Sequence, residues 1–95
     1  MNNELPPQNI EKSFSQIEAE MKARGFIYAG LKGLTKFKFS NEAKFETVPD
    51  KTKEDVVDEY VQEYKKQSID IEIELIDKVG MDSRQQAVYV FIKKK

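Results

Sequence analysis

Near the carboxyl end, Ala87-Val88-Tyr89-Val90-Phe91-Ile92 runs through six apolar side chains without a polar interruption, and this stretch constrains the fold more than any other. Successive side chains of an extended strand point to opposite faces, so Ala87, Tyr89 and Phe91 lie on one side and Val88, Val90 and Ile92 on the other. Both sides need cover. Such a strand belongs in the middle of a sheet, or its second face meets something beyond the sheet. Upstream of it, Ile69-Asp70-Ile71-Glu72-Ile73-Glu74-Leu75 alternates apolar and acidic residues and reads as a strand with one buried and one wet face.

From the amino end, residues 1–8 hold Pro6-Pro7 among polar neighbours and read as an extended lead-in to a single domain over 9–95. Asn9 is placed to cap a helix over about 10–24 whose apolar residues Ile10, Phe14, Ile17 and Met21 share one face. Gly25 supplies the left-handed stop, and Phe26 folds back on Met21. Phe26–Leu31 reads as a strand closed by a turn at Lys32-Gly33. From Thr35 to Thr47 the alternation keeps its parity, with Phe37, Phe39, Ala43 and Phe45 on one face and Lys36, Lys38, Lys44 and Glu46 on the other. That is long for one strand. A hairpin around Asn41–Ala43 sets Phe39 against Phe45 and Lys38 against Glu46, although it lacks the favoured glycine. The pattern leans to the hairpin and leaves one long strand or a loop over 40–48 open.

Thr52 and Asp55 make a capping-box start for a second helix. Its face is Val57, Tyr60, Val61 and Tyr64, and acids near its start with Lys65-Lys66 near its end suit the helix dipole. The order αββ(β)αββ therefore predicts a small α+β domain: an antiparallel β-sheet of four to five strands with two α-helices packed on one face. The opposite face would carry Asp70, Glu72 and Glu74 beside Lys36, Lys38 and Lys44 as a charge-balanced surface. In that arrangement one side of the last strand is left to flanking side chains, to a second copy of the chain or to another protein. Tyr89, Phe91, Val88 and Val90 are accordingly the candidate interface residues.

The chain contains no histidine and no cysteine. Ser-His-Asp and Cys-His chemistry and ordinary zinc sites are thereby excluded, and no disulfide framework exists. Carboxylate chemistry needs a deep cleft that a 95-residue domain seldom builds, so no enzyme, cofactor or metal is expected. Sixteen basic against 17 acidic side chains give a net charge of −1 and no global field to attract nucleic acid. Locally, Arg24, Lys32, Lys36, Lys38 and Lys44 are interleaved with aromatics against one acid, Glu42. This is the alternative reading, a weak and sequence-independent nucleic-acid contact. Extended geometry works against it, because Phe37 and Phe39 then point away from Lys36 and Lys38. Gly30-Leu31-Lys32-Gly33 is a GxxG string, but its flanks read as strands and make it a turn.

No apolar run approaches the roughly 18 residues of a membrane span, and the missing cysteine fits a reducing cytoplasm. The residues thus describe a small cytoplasmic domain that acts by binding, without a cofactor and without a membrane. Its partner is another protein or a second copy of itself, with nucleic acid as the alternative.

Overall fold

The computed structural model describes residues 13–78 and 85–95. Among these residues two helices and five strands follow the expected order: α1 (Phe14–Ala23), β1 (Ile27–Gly33), β2 (Thr35–Phe39), β3 (Phe45–Pro49), α2 (Lys53–Lys65), β4 (Ile71–Asp77) and β5 (Ala87–Lys94). Every strand pairing is antiparallel, and the α+β class holds. The strands do not form one sheet, however. They divide into a three-stranded sheet ordered β1-β5-β4 and a separate β2-β3 pair.

Local chemistry explains the helix ends. Ser13 caps α1: its hydroxyl accepts from the Gln16 amide at 3.2 Å, and the Gln16 side chain accepts from the Ser13 amide at 2.9 Å. The expected cap, Asn9, and the expected first apolar contact, Ile10, lie outside the described residues. At the other end, Gly25 takes φ +92°, and the Phe26 amide donates to the Met21 carbonyl at 2.9 Å. Met21 and Phe26 are buried together, as the C-terminal glycine motif requires. The Thr52–Asp55 capping box of α2 forms in both directions at 3.0 Å. The apolar face of α2 is centred on Val56, which is wholly buried, with Tyr60, Val61 and Tyr64 packed beside it. Val57, the expected start of that face, is half-buried.

The central strand is β5, and its two faces serve two cores. Val88, Val90 and Ile92 are buried with Val56, Leu34 and Ile71 beneath α2. Phe91 is buried with Met21 and Phe26 beneath α1, and Phe14, Ile17 and Tyr89 pack around them. The helices therefore cover opposite faces of β5, where packing on one face was expected. The reason is β5 itself: apolar to the same degree on both sides, it draws one amphipathic helix to each. Fully burying side chains such as Val88, Val90 and Phe91 contributes about 1.5–3 kcal/mol apiece.

The strand pairing corrects two smaller expectations and adds a bulge. The first strand runs two residues past its expected end at Leu31, through the expected turn at Lys32-Gly33, and turns away at the buried Leu34. A bulge between Tyr28 and Gly30 keeps Tyr28 opposite Phe91 and Leu31 opposite Tyr89. The acidic residues of β4 do not meet the lysines of β2, since those strands belong to different sheets. Glu74 is instead paired with Arg24, and Asp77 with Lys53 at 2.9 Å.

Candidate protein-binding surface

The β2–β3 hairpin is built around Leu34. Its amide donates to the Gln86 carbonyl at 2.7 Å, which ties the end of β1 to the start of β5. Its own carbonyl accepts from the amides of Asp50 and Lys51 at 2.9 and 3.1 Å, so the chain leaves the hairpin where it entered. The Thr35 hydroxyl accepts from the Gln86 amide at 3.1 Å and completes the base. Beyond this base the hairpin's principal contacts are its own.

The expected cross-strand pairs form, with Phe39 opposite Phe45 and Lys38 opposite Glu46. The connection spans residues 40–44 without glycine. Ala43 accepts a left-handed φ of +59°, and its amide donates to the Ser40 carbonyl at 3.0 Å. The Ser40 hydroxyl accepts from the amides of Glu42 and Lys44, each at 3.3 Å, and takes up donors that the tight turn frees.

Pairing assigns the two faces. Thr35, Phe37, Phe39, Phe45, Thr47 and Pro49 share one, while Lys36, Lys38 and Glu46 lie on the other. Among the described residues no helix covers the aromatic face: Phe37 and Phe39 are each 59% exposed and Phe45 is 69% exposed. Phe45 stands edge-on to both, with ring centroids 4.9 Å from Phe39 and 6.4 Å from Phe37. A notch of about 250 Å³ lies between Phe37 and Phe45. A groove of about 280 Å³ continues from Phe37 and Thr47 past Thr35 to Leu31 on β1, itself 47% exposed. Native domains rarely leave contiguous apolar rings so open unless they meet something.

The residues singled out in the sequence fall elsewhere. Val88 and Val90 are fully buried under α2, and Phe91 under α1. Tyr89 is half-buried, 5.0 Å from the Phe14 ring, with its hydroxyl 3.3 Å from the Lys78 ammonium. The cover that the last strand needs is thus supplied within the chain, and these side chains line the core. The basic set does not converge. Arg24 closes α1 with both guanidinium nitrogens on Glu74, at 2.9 and 3.0 Å. Lys32 lies on the α2 side with its ammonium 5.6 Å from the Tyr60 ring centre, and Lys36 sits 3.6 Å from Asp50. Lys38 and Lys44 belong to the hairpin. As strand geometry requires, Lys36 and Lys38 are on the face opposite Phe37 and Phe39.

The displaced pKa values all move away from neutrality. Hydrogen bonding to Glu74 raises Arg24, and the same bond lowers Glu74; the hydrogen bond to Glu59 raises Lys51, and burial raises Tyr60. None of these four is shifted toward the range useful for proton transfer at neutral pH. Among the described residues no helix is long and apolar enough to cross a membrane. No protein family, curated protein or solved structure matches the chain.

The exposed role of the three phenylalanines was not legible from their alternation, which reads the same over a core as over a binding surface. The signal that distinguishes them is a count of cover. Among the described residues, two short helices, one on each face of a three-stranded sheet, leave no element to lie on a further hairpin.

Proposed function

We propose that this domain is a non-enzymatic, cytoplasmic protein-binding module whose contact surface is the aromatic face of the β2–β3 hairpin. One observation carries the reading: Phe37, Phe39 and Phe45 form a single ring cluster, more than half exposed, on an arm anchored at a buried residue. Aromatic side chains concentrate binding energy when such a cluster is desolvated by a partner. The absence of cysteine supports the cytoplasmic assignment.

The test compares two baits, the wild-type chain and a chain carrying Phe37→Ser, Phe39→Ser and Phe45→Ser. Proteins enriched by the first and lost with the second are purified and titrated against both by calorimetry. The reading requires at least one purified protein, this chain included, whose affinity drops at least tenfold on the triple change. If every purified candidate binds both baits alike, the reading fails. The nucleic-acid alternative is measured in parallel by oligonucleotide anisotropy at low and high salt, where phosphate contacts show as a steep salt dependence.

A further inference from the structure

Resting on that reading, we infer that the aromatic face is closed by a second copy of the same chain, two hairpins packing face to face across a two-fold axis. A two-stranded hairpin is only marginally stable in water and needs another layer on its apolar face. The chemistry of this face is self-complementary. Its members, Thr35, Phe37, Phe39, Phe45, Thr47 and Pro49, include no ionisable group, so two copies meet without burying a charge. The lysines and the glutamate point the other way, and a net charge of −1 sets up little repulsion between copies.

Shape agrees with charge. The patch holds both a knob, the Phe39 ring leaning on Phe45, and a notch, the space of about 250 Å³ between Phe37 and Phe45. A two-fold axis places the knob of each copy against the notch of the other, the mutual fit that an isologous interface demands. The area sets the strength. With aromatic side chains presenting about 150–250 Å² each, the three rings offer roughly 300–450 Å² per copy. A standard interface takes about 800 Å² per partner. The two threonines, Pro49 and Leu31 supply part of the difference, so the dimer belongs at the weak end of the range.

Sedimentation velocity on the full chain from about 5 µM to 1 mM tests this. We expect a monomer–dimer equilibrium with a Kd of roughly 10–100 µM, as an interface below standard size suggests. Phe39→Glu and Phe45→Glu each weaken it at least tenfold, while Lys38→Glu on the opposite face leaves it unchanged. Because the chain has no cysteine, Glu46→Cys, on the face opposite the aromatic one, carries a single spin label that stays outside the contact. Hairpins stacked about 10 Å apart would bring the labels of two copies within roughly 20–45 Å, the spread being the outward-pointing label arms. A wild type that stays monomeric throughout overturns the second-copy inference and leaves binding to a foreign protein to the paired-bait titration. A dimer that ignores both glutamate changes, or whose labels lie far apart, overturns it as well.

Discussion

Arg24 and Glu74, 50 positions apart in sequence, meet through two parallel hydrogen bonds of 2.9 and 3.0 Å that tie the end of α1 to β4. The pair is open to solvent, so its contribution is modest and weakened by salt.

Its pH dependence has a definite sign. The hydrogen bond from Arg24 holds the Glu74 carboxyl below its usual range. A carboxylate lowered in the folded state adds stability that is fully present above the unfolded pKa and is lost as pH falls through the folded value. Thermal melts of wild type and Glu74→Gln should therefore differ near neutrality and converge in acid, with the neutral-pH gap shrinking in high salt. A gap that persists unchanged into acid would show that the pair acts through packing alone.

Among the described residues, two in the left-handed region are not glycine. Ala43 has φ +59° in the hairpin connection and Ser68 has φ +61° beyond α2, where the Ile69 amide reaches back to the Tyr64 carbonyl at 3.0 Å. A left-handed conformation costs an ordinary residue roughly 1–2 kcal/mol, partly offset by the freedom glycine loses on folding. Ser68→Gly should raise global stability by about 0.5–1 kcal/mol in urea unfolding. Ala43→Gly should slow amide exchange mainly within the hairpin, because that arm opens without the main sheet.

Glutamate scanning should separate core from surface. Val90→Glu places a charge in a wholly buried site and is expected to unfold the chain, seen as loss of chemical-shift dispersion. Phe45→Glu, at a position 69% exposed, should leave the fold intact and change stability by about 0.5 kcal/mol or less. A folded Val90→Glu chain would contradict the two-sided core.

Gly30 is held by two constraints, a φ of +151° within the β1 bulge and the Tyr60 hydroxyl 3.2 Å from where a methyl group would stand. Gly30→Ala should cost about 1–3 kcal/mol. Tyr60→Phe removes the clash and leaves the backbone strain, so the double variant should recover about 0.5–1 kcal/mol of that loss. Complete recovery would mean that the backbone conformation costs nothing.

What the sequence made legible was local. The Thr52–Asp55 box, the Gly25 stop and the Phe39–Phe45 pairing each depend on residues within a few positions of one another, and all three form. Ser13 was equally readable, since Gln16 three residues on completes its box. The side on which each helix lies was not, because β5 offers equivalent apolar sets to both, and α1 and α2 are each amphipathic enough for either. The division into two sheets turns on Leu34, whose burial depends on Val56 and Val88 from distant segments. Nothing adjacent to Leu34 distinguishes a buried corner from an exposed turn. The left-handed Ala43 and Ser68 were hidden for the converse reason, since the usual marker of that conformation is missing.

The closure at Leu34 has a consequence for how this chain tolerates change. Because the amides of Asp50 and Lys51 return to the carbonyl of Leu34, residues 35–49 begin and end at one point of the main sheet. Topologically they are an appendage. Beyond Thr35, whose hydroxyl holds the Gln86 amide, the hairpin is expected to accept changes of length or sequence while β1, β5 and β4 keep their alignment. Changes of sequence or length within this arm of 15 residues are thus expected to leave the core that holds it in place.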